Sequence, residues 1–140
     1  MVIFTDGACS GNPGPAGLGV YCPETDYERS EYLGNATNNI AELLAISRAI
    51  DLIETRLERS VIFTDSIYAI GVLTKDWRVK ANLELVRQIT NQLARVAQQI
   101  GGTYAIELKH VRGHCGNVGN EKADELATRA VRTQTTEISS

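Results

Sequence analysis

Three features of the sequence predict an α/β domain with a mixed five-stranded sheet, a β-meander plus parallel strands, flanked by helices. The pentapeptide Val-Ile-Phe-Thr-Asp occurs twice, at Val2–Asp6 and Val61–Asp65. Each copy is a run of β-formers closed by a carboxylate and then a turn-prone residue, Gly7 or Ser66. From Ile40 the apolar spacing turns helical, through Leu43, Leu44, Ile50, Ile53 and Leu57. Three strand-like segments precede that helix and single strands separate the later ones, an order that adds parallel strands by right-handed crossovers.

After the first strand, Gly7–Gly17 reads as a turn rich in Gly and Pro, followed by the apolar run Leu18–Cys22. Pro23–Arg29 is a polar turn and Ser30–Gly34 a short third strand, completing the meander. Asn39, three residues before Glu42, resembles a capping box at the start of the first long helix. The second pentapeptide strand leads into a short helix ending near Leu73. A further helix runs from about Asn82 to Ile100 and stops at Gly101-Gly102. Thr103–Val111 alternates as the fifth strand, and Arg112–Gly119 is a loop carrying His114. Asn120 is the expected cap of the last helix, which ends near Val131. The polar tail Thr133–Ser140 is expected to fray.

Paired in parallel, the pentapeptides put Asp6 and Asp65 at the carboxyl edge of one sheet, where ligands of open α/β sheets gather. Strands lie about 4.8 Å apart, and two carboxylates at that separation repel unless a cation sits between them. An oxygen-bound divalent ion at about 2.1 Å fits such a gap. Glu42 and Asp124, near the starts of their helices, can reach the same edge. Four acids suit a pair of cations about 3.5–4 Å apart, the arrangement that supports in-line attack of water on a phosphodiester.

Composition narrows the class. With 140 residues and 43% hydrophobic content the chain is long enough for one core. No apolar run approaches the ~20 residues of a membrane span, and no leader is apparent after Met1, so a cytoplasmic protein is expected. Three cysteines, Cys9, Cys22 and Cys115, lack paired spacing and suit a reducing compartment. His110, His114 and Cys115 have no cysteine pair to close a tetrahedral zinc site. The net charge of −3 is unusual for a nucleic-acid-binding protein and argues for modest affinity at physiological salt.

Four blocks carry a resemblance: Thr5-Asp6-Gly7-Ala8-Cys9-Ser10-Gly11-Asn12-Pro13-Gly14, Thr37-Asn38-Asn39-Ile40-Ala41-Glu42, Thr64-Asp65-Ser66, and His114 through Asp124. Together, in this order and at this spacing, they resemble type 1 ribonuclease H, with the match running from Val2 to about Arg132. The resemblance implies a ribonuclease H-like fold, a catalytic domain over residues 1–132 and a tail over 133–140. It implies an Asp6-Glu42-Asp65-Asp124 centre for two Mg²⁺ ions, with Mn²⁺ as substitute. It further implies hydrolysis of the RNA strand of RNA–DNA hybrids to 5′-phosphate and 3′-hydroxyl ends, with His114 moving protons or aiding product release. Asn12, Asn38 and Asn39 match residues that contact the hybrid in its minor groove, and Thr37 one that holds a DNA-strand phosphate. Amides that donate and accept suit the 2′-hydroxyl, and a helix N-terminus favours phosphate.

Two departures from the family pattern stand out. The Lys- and Trp-rich insertion of the well-studied cellular enzymes shrinks here to Thr74–Ala81, leaving Trp77, Lys75, Arg78 and Lys80. A fused or bound accessory module is one way to supply the missing grip. Ile67 stands where many relatives have a polar residue near the minor groove. A monomer is expected. Two other readings keep the fold: a non-catalytic nucleic-acid-binding domain, which retention of all four acids opposes, and a DNA-processing nuclease, which the amide-rich blocks oppose. Taken singly, each acid has a bland role as a helix cap, a dipole partner or a turn former; four at this spacing do not.

Overall fold

The two pentapeptides lie side by side. In the computed structural model, which describes residues 1–75, 77–112 and 117–140, Val2, Ile3 and Phe4 pair in parallel with Val61, Ile62 and Phe63. The repeat in sequence is thus a repeat in space, and the Phe4 and Phe63 rings stack with centroids 5.3 Å apart. The strands are β1 (Val2–Cys9), β2 (Gly14–Cys22), β3 (Tyr27–Ala36), β4 (Ser60–Thr64), β5 (Ile106–His110) and β6 (Glu137–Ser139). The helices are α1 (Asn38–Arg56), α2 (Ile67–Thr74), α3 (Leu83–Ile100) and α4 (Val118–Thr133). Strand order is β5-β4-β1-β2-β3-β6. The β1–β4 and β4–β5 pairs are parallel, and the others antiparallel.

The sheet therefore has six strands among the described residues, not five. The tail expected to fray supplies the sixth: Glu137, Ile138 and Ser139 pair with Ser30, Arg29 and Glu28. Its sequence carries no strand pattern; the open edge of β3 imposes the conformation, helped by Tyr32 N–H donating to Thr136 Oγ1 at 3.1 Å. The meander strands also exceed their apolar runs. β1 continues to Cys9, pairing with Ala16, so the turn shortens to residues 10–13. Pro23–Thr25 forms a 3-10 turn ended by Asp26 at φ 53°, and β3 starts immediately after it.

Two helix caps differ from expectation. Thr37, not Asn39, caps α1, its Oγ1 accepting the Ile40 N–H at 3.2 Å. Asn117, not Asn120, caps α4, accepting the Asn120 N–H at 2.9 Å. Several good capping residues stand close together in both places, and tertiary packing selects among them. Asn120 is buried, 4% exposed, against the sheet. Glu42 and Asp124 consequently lie in the second turns of their helices.

Close packing brings both helices to the sheet. A Cβ at Gly7 would stand 2.6 Å from the Glu42 backbone nitrogen, and one at Gly19 only 2.1 Å from the Ala123 carbonyl oxygen. Phe4 meets Gly119 of α4 whereas Gly7 meets α1. Side chains alternate faces along a strand, so α1 and α4 cover opposite faces. Ile3, Leu18, Val20, Leu43, Ile46, Ile50 and Ile62 are fully buried on the α1 side or within its core. Each such side chain contributes about 1.5–3 kcal/mol by leaving water. That packing sets the positions from which the acids approach one another.

Candidate metal centre and nucleic-acid interface

Asp6 lies within β1 just past the stretch paired with β4, and Asp65 follows the last residue of β4. Glu42 reaches the same edge from α1, which Gly7 allows close to β1. One carboxylate oxygen from each of these three residues lies within 4.8 Å of the other two. Asp124 of α4 joins the group, its carboxyl within hydrogen-bonding reach of Asp6. Asp6, Glu42 and Asp65 therefore come together as expected, and Asp124 approaches the group through its contact with Asp6.

The cluster is electrostatically unhappy on its own. Burial, then the charge of Asp65 and the contact with Asp124, pushes Asp6 up to about 8. Burial, then the charge of Asp6 and the contact with Asp65, pushes Glu42 up to about 10. Asp6 and Glu42 are only 5% and 6% exposed. Glu42 Oε1 is buried without a hydrogen-bond partner among the described residues. An unpaired buried acceptor costs about 1–3 kcal/mol. A cation would satisfy that oxygen and reverse the repulsion, so these residues fit a metal ion.

Beside the acids lie the expected substrate-binding residues. Asn12 Oδ1 accepts the backbone N–H of Asn38 at 3.0 Å, joining the turn after β1 to the start of α1. Asn12, Asn38 and Asn39 are exposed, and Thr37 is half-buried. Cys9, read as a passive thiol, lies beneath the same turn. Its Sγ–H faces the carbonyls of Gly11 and, at 3.2 Å, Ala36. Sequence reasoning missed this tie and the Asn12–Asn38 bond, because partners 27 and 26 residues apart leave no local signal. Asn120, foreseen only as a cap, lies one turn before Asp124 with its Oδ1 buried and likewise unpartnered among the described residues.

Ile67 opens α2 at 60% exposure, two residues beyond Asp65. Trp77 lies over Gly71 of α2, where a Cβ would stand 2.1 Å from its ring, and remains 45% exposed. It acts as an anchor for the short α2–α3 connection. His114 and Cys115, and with them the expected proton-transfer residue and the zinc alternative, lie outside the described residues. No described helix is long and apolar enough to cross a membrane.

An α/β sheet carrying a largely buried acidic cluster at the carboxyl ends of its parallel strands defines a class of protein whose site could hold a metal ion. The chain belongs to the RNase H family, whose model matches residues 1–132. It is 37% identical over 139 residues to the Ribonuclease H of Aromatoleum aromaticum, spanning 92% of this chain and 88% of that protein. Its fold is similar to LC11-RNase H1, isolated from compost and solved in complex with an RNA/DNA hybrid. That likeness has a TM-score of 0.76 at 25% identity, covering 95% of this chain and 97% of the other. RNase H1 of the archaeon Halobacterium salinarum is similar at TM-score 0.73 and 26% identity, covering 94% and 97%.

Proposed function

We propose that the chain hydrolyses the RNA strand of RNA–DNA hybrids, with Asp6, Glu42, Asp65 and Asp124 holding two Mg²⁺ ions, or Mn²⁺ in their place. The observation that carries this reading is the buried carboxylate cluster with its unpartnered Glu42 Oε1. Two such ions supply Lewis-acid stabilisation of the attacking and leaving oxygens of an in-line displacement. The chain's residues do the rest. Asp6 and Glu42, whose carboxyls burial and neighbouring charge push up, would serve as oxygen ligands in their charged forms once such ions were bound. Asn12, Asn38 and Asn39 offer amides to the minor groove, and the 2′-hydroxyl is what tells RNA from DNA there. Thr37 uses its oxygen to cap α1, which leaves its O–H to donate to a phosphate at a helix N-terminus. These groups read backbone and groove shape, so cleavage is nearly sequence-neutral.

The catalytic unit is residues 1–132 of a single chain, since all four acids come from one copy, and it works in a reducing, cytoplasmic setting that suits the free thiols of Cys9 and Cys22. With net charge −3 and a short α2–α3 connection, an accessory module raises hybrid affinity. The test is cleavage of a labelled RNA–DNA hybrid in Mg²⁺ or EDTA, beside matched DNA and RNA duplexes. Mg²⁺-dependent cutting of the hybrid's RNA strand alone is expected. Binding without cutting in both Mg²⁺ and Mn²⁺ would refute the proposal.

A further inference from the structure

β5 is an outer strand of the sheet. The Val111 N–H donates to the Thr64 carbonyl at 2.9 Å, towards β4. Backbone groups alternate sides along a strand, so those of Glu107 and Lys109 also face β4, and those of Ile106, Leu108 and His110 face outwards. No described residue hydrogen-bonds to these outward groups. Alongside runs an open groove of about 480 Å³, lined by Leu73, Leu93, Ala94, Ala97, Ile106 and Leu108. At its end stands Tyr104, 83% exposed. An unpaired edge beside apolar surface is a template for another strand.

The charges on β5 select the occupant. Charges of one sign on an edge strand block self-association, but Glu107 and Lys109 are opposite in sign, exposed and two residues apart on one face. An antiparallel pairing of two β5 strands about a two-fold axis at Leu108 places Glu107 of each copy directly across from Lys109 of the other. It also makes Leu108–Leu108 and both Ile106–His110 couples the hydrogen-bonded pairs, which is where the outward backbone groups lie. Glu107–Lys109 then falls at the non-hydrogen-bonded positions, where facing side chains come closest. Backbone polarity and side-chain charge agree on one register. We propose that β5 is a self-association surface through which two copies of this chain form one continuous sheet, an isologous contact that joins their apolar grooves. The two-fold axis reverses strand direction, so the two acidic clusters lie at opposite ends of that sheet and remain open. This assembly adds to the single-chain catalytic unit and does not depend on the proposed activity.

Sedimentation equilibrium of the intact chain across micromolar to millimolar concentrations tests it. A monomer–dimer equilibrium is expected. Glu107→Lys and Lys109→Glu each set like charges opposite one another twice and should weaken association about tenfold. The double exchange, Glu107→Lys with Lys109→Glu, restores opposite pairs and should recover it. Both positions are exposed on β5, so far-ultraviolet circular dichroism should be unchanged in every variant. A chain that stays monomeric throughout, a dimer indifferent to the single reversals, or a double exchange that recovers nothing would each overturn the proposal.

Discussion

Asn12 Oδ1 holds the backbone N–H of Asn38 at 3.0 Å, and this bond makes one surface of two distant segments. A turn after β1 and the first turn of α1 thereby present their amides together. Asn12→Ala removes both the tie and an exposed amide. A KM increase of about tenfold is expected, with kcat within about twofold, because binding is lost and the acids are untouched. Asn12→Asp keeps the acceptor for Asn38 but sets a charge against phosphate, so stability should hold while KM still rises. Steady-state kinetics on a hybrid separates the two roles; a pure kcat defect in Asn12→Ala would refute them.

Asp6→Asn or Asp65→Asn should lower cleavage by about a thousandfold or more, since each removes a ligand from the centre. Without metal the same changes relieve like-charge repulsion in a buried site. A gain of about 1 kcal/mol would raise the melting midpoint by about 3 °C for a domain of this size. Calorimetry in EDTA beside Mg²⁺-dependent cleavage checks both halves. Full activity in either variant would sink the metal centre.

The raised acids also give stability a pH dependence of known sign. Asp6 sits at about 8 against an ordinary 3.8, and Glu42 at about 10 against 4.5. The folded protein therefore binds more protons than the unfolded chain between those limits. Their contribution is fully present below the ordinary values and is lost as pH rises through the folded ones. In EDTA the melting midpoint should fall between about pH 5 and pH 8 from this source. Mg²⁺ favours the charged forms and should flatten that fall. Glu31 works in another window. Its burial is outweighed by hydrogen bonds from Arg48 and Arg29, which hold it below the usual range, so its contribution fades only as pH drops through its folded value. Thermal scans with and without Mg²⁺ decide the matter; a metal-free midpoint that climbs between about pH 5 and pH 8 would contradict the cluster.

Removal of residues 135–140 deletes β6 and exposes the edge of β3. The lost ladder and the Tyr32–Thr136 bond should cost about 1–2 kcal/mol in urea denaturation, with cleavage per folded molecule unchanged. Loss of activity in a still-folded truncation would give the tail a role beyond covering an edge.

The site was more legible in the sequence than the periphery of the fold, for physical reasons. Two identical pentapeptides can occupy equivalent positions on parallel strands, so Phe4 opposite Phe63, and with it the meeting of Asp6 and Asp65, follows from the repeat itself. Glu42 was harder, because an acid three residues after Asn39 also reads as a cap; only its burial at 6% exposure separates the roles. β6 was illegible, since Glu137–Ser139 owes its conformation to an edge supplied by residues about a hundred positions earlier. The choices of Thr37 over Asn39 and Asn117 over Asn120 were likewise made by packing, which no local pattern encodes.

The four acids stand at positions 6, 42, 65 and 124, on elements that meet only when the sheet and both flanking helices have docked. No stretch of chain carries a usable fragment of the centre. During synthesis Asp124 emerges after β1, α1 and β4 have left the ribosome, so a nascent chain holds three acids and no fourth. A chain whose synthesis has not yet passed Asp124 thereby lacks one of the four acids, and any local opening that undocks α4 would carry Asp124 away from Asp6 again.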